Sequence, residues 1–327
     1  MYQFQTEIPD FLRKELEQRN KEPIKSFMGL PLKKEFKKED FCIVGVPYDT
    51  STTNRPGTRF GPRAIREFMS RFGKYSQDAK WEIDNLEGMD YGDIAVKSGY
   101  TKESLTIVYE EVKKILDAGI TPIVLGGDHL ITYPELGAYA SKYGKIAMIH
   151  FDSHNDTSDY ENKLTHGTPF RRAIEDGFLD ASHSIQVGIR GYSDTYRLEY
   201  ANETGMQVIT ARQLHEIGIG KAARLIKEQV QDAKCIVTFD IDFLDPAAAP
   251  GTGTPVAGGF TTYEAMELLR ESVTGLNVVG FDLVEVMEDY DPGHITSLAA
   301  THIIYQFLMI LSKNKKNAGK NILENLY

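Results

Sequence analysis

The chain is short of cysteine, of positive charge and of long apolar runs. It has two cysteines in 327 residues, Cys42 and Cys235, which excludes a disulfide framework. Each opens an apolar run, as a buried thiol would, and a reducing compartment, the cytoplasm, is the expectation. Lys and Arg number 37 against 47 Asp and Glu, a net charge of −10. That lacks the basic footprint of a nucleic-acid binder, and it suits a small cationic substrate. No run reads as long enough to span a membrane, and the first residues lack the apolar core of a signal peptide. No internal repeat, low-complexity tract or linker is apparent.

What is present is alternation. Hydrophobic residues make up 41%, enough for a large core. Short apolar runs at residues 41–47, 121–125, 145–151, 184–189, 206–210, 235–239 and 276–286 read as buried parallel strands, with a shorter one at 90–96. Helical patterns lie between them, at 101–118, 134–143, 170–176, 195–204, 222–230, 261–271 and 295–311. Gly61-Pro62 opens another helix with proline in its tolerated first turn. Thr101 is expected as a cap, and Thr261 with Glu264 as a capping box. Residues 313–320 read as a solvated basic tail. Residues 1–38 read as a helical arm, packed on the outside or serving an oligomer contact. Residues 39–327 then form a single α/β domain around a mostly parallel sheet.

Three of these strands end in potential metal ligands. The run to Phe151 feeds into Asp152, His154 and Asp156, spaced two apart, so an extended chain would point them to one side. The run from Cys235 ends in Asp240-Ile241-Asp242, and the run 121–125 in Gly126-Gly127-Asp128-His129. Asp commonly ends strands by capping a turn, so one such pair says little. Three at once, at the strand ends where open α/β sheets place their sites, point to metal. Four converging carboxylates repel one another, and two divalent cations would balance them. Mixed carboxylate and imidazole suits Mn, Fe, Co, Ni or Zn better than Ca. Two such ions can lower the pKa of a shared water from about 15.7 toward about 7.

From Phe41 to Leu311 the sequence resembles the ureohydrolases, the family of arginase and agmatinase. The resemblance rests on Gly126-Gly127-Asp128-His129, on Asp152-Ser153-His154-Asn155-Asp156, and on Asp240-Ile241-Asp242-Phe243-Leu244-Asp245-Pro246. The loop Ala249-Pro250-Gly251-Thr252-Gly253-Thr254-Pro255 also matches. It implies a three-layer α/β/α sandwich around an about eight-stranded sheet, and a homo-trimer or homo-hexamer. It implies two divalent ions per chain, normally Mn2+. One would be held by His129, Asp152, Asp156 and Asp240, and the other by Asp152, His154, Asp240 and Asp242, with Asp152 and Asp240 bridging. It also implies His166 as a proton-shuttling histidine and Glu285 as the carboxylate that grips a guanidinium.

Ser153 stands where the family usually has Ala, and Thr238 where it usually has Ser. Neither is a ligand, though Ser153 bears on hydrogen bonding beside the ligands and so on metal preference. Ser158 takes the place of the Asn that arginases use for the amino-acid carboxylate. Asp156-Thr157, Arg55-Pro56-Gly57 and Gly188-Ile189-Arg190-Gly191 look like agmatinases. Agmatine, giving putrescine and urea, is therefore the expected substrate. Guanidinobutyrate, guanidinopropionate and free guanidine with Ni2+ are the alternatives on the same branch. The rival classes are a non-catalytic relative that keeps the fold as a binding subunit and a mononuclear zinc amidohydrolase. The distal pocket is expected from residues 48–62, 157–163 and 192–196. His150 reads as a core residue or a neighbour of the ligands, and His294 as a residue near the mouth.

Overall fold

The computed structural model describes residues 26–69, 73–77, 80–83, 85–97, 99–192 and 196–324. The chain runs through β1 (Phe41–Gly45), α1 (Gly61–Met69), β2 (Tyr75–Ser76), β3 (Trp81–Glu82), β4 (Gly88–Asp93), α2 (Thr101–Asp117) and β5 (Thr121–Leu125). It continues through α3 (Thr132–Tyr143), β6 (Ala147–Phe151), α4 (Pro169–Glu175), β7 (Ile185–Ile189), α5 (Tyr196–Thr204), β8 (Gln207–Thr210), α6 (Ala211–Ile217) and α7 (Ile219–Val230). It ends with β9 (Cys235–Asp240), α8 (Thr262–Val273), β10 (Val278–Val284) and α9 (Ile295–Glu324).

Eight strands form one parallel sheet in the order β4-β1-β5-β10-β9-β6-β7-β8, and β2 and β3 pair as a separate antiparallel ribbon. Successive side chains on a strand point to opposite faces, and here both faces are dry. On β6, Ala147, Ile149 and Phe151 join one core cluster with α1, α6, α7, α8 and α9. Met148 joins the other, with α2, α3, α4 and α5. Two apolar layers with helices outside each make the expected three-layer α/β/α sandwich, and they explain why the strands read as unbroken apolar runs. Phe281 on β10 stacks on Phe307 of α9 at 4.4 Å between ring centroids. Each such ring contributes about 1.5–3 kcal/mol by burial.

Several local readings change. The capping box is formed, since Thr261 accepts from Glu264 N–H while Glu264 accepts from Thr261 N–H. Thr101 does not cap α2: Tyr100 holds that position, and the Thr101 hydroxyl meets Tyr48 Oη at 3.0 Å. The basic tail is helical, for α9 runs to Glu324, and Lys315 pairs with Asp40 at 2.8 Å. The stretch Pro292–Asn317, which runs from the preceding 3-10 turn into that helix, is long and apolar enough to cross a membrane, contrary to the sequence reading, but 72% of its apolar window is buried inside the fold. Helix α6 and the β2–β3 ribbon were not expected. Of the arm at 1–38, residues 1–25 lie outside the described residues. The part that follows carries a 3-10 turn and an isolated bridge from Leu32 to Asp90 in place of the expected helix, and buries Phe27, whose N–H donates to Asp90 at 2.9 Å.

Candidate metal centre

The four central strands, β5, β10, β9 and β6, end side by side, and their carboxyl ends supply every expected ligand. After β5 the chain turns at Asp128, which accepts from Leu130 N–H, and presents His129 in a 3-10 turn. Asp240 closes β9 and caps the next turn by accepting from Asp242 N–H at 2.8 Å. Arg190 fastens this turn by donating to the carbonyls of Asp242, Phe243 and Leu244. Beyond β6 the expected alternation does not operate, because the strand stops at Phe151 and Asp156 takes a left-handed conformation, φ 51°. A bent loop, stiffened by Phe170 N–H donating to Asp156 O, brings Asp152, His154 and Asp156 together instead.

His129 Nδ1 lies 3.1 Å from Asp152 Oδ2, 3.0 Å from Asp156 Oδ2 and 3.3 Å from Asp240 Oδ2, yet it makes no hydrogen bond. His154 Nδ1 lies 3.4 Å from Asp152 Oδ1 and 3.0 Å from Asp242 Oδ2. Asp152 therefore turns one oxygen to each group. Asp240 turns only Oδ2 to His129, its Oδ1 being taken by Asp242 N–H.

All these residues but His154 are buried. Burial, then Asp242 and Asp152, push the Asp240 carboxyl well above its usual range. Burial pulls His129 down, but the three carboxylates outweigh it and hold the imidazole well above its ordinary value; His154 behaves alike. The cluster thus demands positive charge, and its O and N donors fit divalent transition ions.

Beneath the ligands lies a row of which the sequence reading foresaw only His150, as a core residue or a neighbour of the ligands. Gln186, His150, Thr238 and Asp282 sit in register on β7, β6, β9 and β10, on one face of the sheet. Gln186 Nε2 donates to the Asn155 carbonyl, which can only accept, and to His150 Nδ1 at 3.1 Å. The ring proton is therefore on Nε2, 2.7 Å from Asp152 Oδ2. Thr238 donates to Asp282 Oδ1 at 2.6 Å, so its oxygen accepts from His129 Nε2 at 2.9 Å and leaves Nδ1 facing the carboxylates. The sequence signal for this row is four polar residues inside apolar runs, one to three residues before the strand ends. Their partners emerge only from the register.

Glu285 follows β10 with φ 64°, a left-handed position uncommon for glutamate. Its Oε1 accepts from His129 N–H at 2.8 Å and lies 3.0 Å from His166 Nδ1, while its buried Oε2 has no hydrogen-bond partner. Against the downward pull of burial, Glu285 lifts His166 to about 9. Thr53 N–H points at His166 Nε2 at 3.1 Å, which favours the proton on Nδ1; a proton added at Nε2 has Thr53 Oγ1 as acceptor at 2.6 Å, once that amide turns aside.

Thr53, His154, Asp156, Ser158, Tyr160, His166, Asp240 and Thr254 line a cavity of about 120 Å3 at this cluster. An outer cavity of about 390 Å3 shares Thr53 and Tyr160 and adds Glu161, Lys163 and Thr165. The pocket segments expected at 48–62 and 157–163 are thus represented, whereas 193–195 lie outside the described residues. The other histidines are engaged elsewhere. His294 packs on Phe68, His215 stacks on Phe260, His183 pairs with Asp180, and His302 meets the Leu298 carbonyl.

Comparison with known proteins gives the family. Residues 39–310 match the model of the arginase family. The chain belongs to the arginase family. It is 40% identical over 300 residues to the agmatinase of Chromobacterium violaceum, covering 90% of each chain. It is equally 40% identical to the mitochondrial guanidino acid hydrolase of Homo sapiens, over 88% of this chain and 83% of that one. Among solved structures, proclavaminate amidino hydrolase from Streptomyces clavuligerus superposes with a TM-score of 0.85 at 37% identity, over 90% of this chain and 98% of that one.

Thr238→Val keeps the shape of the side chain but strands both Asp282 Oδ1 and His129 Nε2. Urea unfolding should show a loss of about 1–3 kcal/mol. Thr238→Ser, which keeps the hydroxyl, should lose well under half as much, and equal losses in the two variants would remove the hydrogen-bonding role.

Proposed function

We propose that this arginase-family chain hydrolyses a guanidino compound to urea and an amine at a two-cation centre, with agmatine as first substrate and putrescine as product. The observation that carries it is Asp152, buried and dividing its two oxygens between the His129 and His154 groups, with the unpartnered Glu285 Oε2 nearby. His129, Asp152, Asp156 and Asp240 would hold one ion and Asp152, His154, Asp240 and Asp242 the other. Mn2+ is the first choice and Ni2+ the second. Such ions supply an activated water near neutral pH. The same reading takes residues 39–327 as one catalytic domain, with the arm at 1–38 appended. It also takes a homo-trimer or homo-hexamer as the assembly and the cytoplasm as its place.

The chain's own groups do the rest. A guanidinium is planar and forked, and a carboxylate matches it with paired hydrogen bonds. Glu285 is poised to hold one arm of that fork through Oε2, which is buried and free of hydrogen-bond partners, while Oε1 is occupied by His129 N–H and His166 Nδ1. His166 takes its proton beside Glu285 and passes it to the leaving amine. Thr53 and Tyr160 line both cavities and would limit water around the reacting carbon.

A second reading keeps the chemistry and changes the tail of the substrate. Lys163 lines the outer cavity as well as Glu161, and a relative named guanidinobutyrase, from Pseudomonas aeruginosa, matches at 39% identity. A distal ammonium would meet Glu161, and a distal carboxylate Lys163.

Urea release from agmatine, guanidinobutyrate, guanidinopropionate, guanidine and arginine, after loading with Mn2+ and separately Ni2+, tests both readings. Agmatine is expected to give the highest kcat/KM, guanidinobutyrate in first place supports the second reading, and no urea from any of them defeats the enzyme reading. Metal counts give a separate check. Asp152→Ala should lose both ions, and His129→Ala chiefly one; equal full occupancy in both variants would overturn the ligand assignment. Glu285→Gln keeps the acceptor for His129 N–H and removes the charge. It should retain two ions while kcat/KM falls by about 2–3 kcal/mol, the scale of a lost charge-assisted pair. Near-normal kcat/KM would exclude Glu285 as the guanidinium anchor.

A further inference from the structure

Ser153 is buried between two of the residues assigned to the second ion. Its hydroxyl lies 2.7 Å from Asp242 Oδ1, and its backbone N–H donates to the same oxygen at 3.1 Å. The hydroxyl oxygen also lies 3.1 Å from His154 Nδ1. A hydroxyl carries one proton, and a carboxylate oxygen has two lone pairs. At 2.7 Å the proton goes to the carboxylate, and the charge-assisted bond is the strong kind. Amide and hydroxyl together then occupy both lone pairs of Oδ1. Asp242 Oδ2 faces the other way, 3.0 Å from His154 Nδ1 and 3.4 Å from the Thr254 hydroxyl.

We propose that Ser153 sets the metal preference of this site: by saturating Oδ1, it restricts Asp242 to a single donor atom, Oδ2. Without the hydroxyl, the backbone N–H would take one lone pair of Oδ1 and leave the other for a cation. The restriction removes one oxygen donor from a site that otherwise offers carboxylates and one imidazole. Mn2+, which suits oxygen-rich shells, loses most by this, and Ni2+, which accepts nitrogen ligands readily, loses less. The inference rests on the two-cation centre proposed above. It concerns a residue that touches neither substrate nor ion, and so acts through Asp242.

The test uses the full chain as wild type, Ser153→Ala and Ser153→Thr, each dialysed against equal concentrations of Mn2+ and Ni2+, with bound metals counted by mass spectrometry. Ser153→Ala is expected to raise the bound Mn to Ni ratio roughly tenfold, the lower end of what a neighbour of a ligand commands in affinity. Ser153→Thr keeps the hydroxyl and is expected to stay with wild type. In X-ray absorption, Mn-loaded Ser153→Ala should show more oxygen neighbours per ion than Mn-loaded wild type. An unchanged ratio in Ser153→Ala overturns the proposal, as does Ser153→Thr moving with it. Loss of both metals alike in Ser153→Ala assigns Ser153 to packing alone and also overturns it. Failure of the wild type to bind either ion is a different result, which defeats the two-cation centre itself.

Discussion

Crowded negative charge is the constraint on which this structure depends. Asp152, Asp156, Asp240 and Asp242 converge where little water can screen them, and a buried carboxylate without a partner is costly. In the protein as described, imidazoles answer that charge, with His129 facing three carboxylates, His154 two, and His150 donating to Asp152 from below. The geometry holds only because neighbouring groups use up the other lone pairs. Asp242 N–H takes Asp240 Oδ1, and Ser153 takes Asp242 Oδ1. What remains is a set of inward-facing oxygens and two imidazole nitrogens, which is the shape of demand that a divalent cation meets.

The sheet supplies the rigidity for this. Its central strands are dry on both faces, so their ends cannot shift without disturbing two cores. The row Gln186, His150, Thr238 and Asp282 interrupts one apolar face directly under the site. Each member has a hydrogen-bond partner, so the row fixes ring orientations. The loops above carry strained backbone. Asp156, Tyr160, Glu161 and Glu285 all have positive φ, and all lie at or beside the cavities. Residues in such conformations persist where the surroundings over-determine them, as Glu285 is by its N–H to the Gly127 carbonyl and its Oε1 to His129 N–H.

His166 and Glu285 form a unit that neither residue makes alone. They come from a loop and from a strand end 119 residues apart, and meet at 3.0 Å. Glu285 thereby serves three tasks: it anchors the backbone at His129, raises the basicity of His166, and keeps Oε2 for another partner. Thr53, from the long segment after β1, closes the other side of the imidazole. In the proposed reaction, binding the substrate cation and handling the proton would be coupled through one carboxylate.

The residues by themselves determined the fold class, because short apolar runs alternating with helical spacing leave few options but a parallel sheet covered on both sides. They also pointed to the candidate ligand set, since three strand ends carrying Asp and His in short spacing is a local pattern. Local pattern misled where the backbone departs from its regular form. Asp152, His154 and Asp156 meet through a left-handed residue rather than through strand alternation, and Thr101 is drawn to Tyr48 rather than to the start of its helix. The register between distant strands was not written in any single segment. Only the tertiary structure put Thr238 beside Asp282 and His150 beside Gln186, and only it brought Ser153 against Asp242 and Glu285 against His166. Such contacts follow from how segments 36 to 119 residues apart align, and that alignment is fixed by the whole core rather than by the residues it brings together.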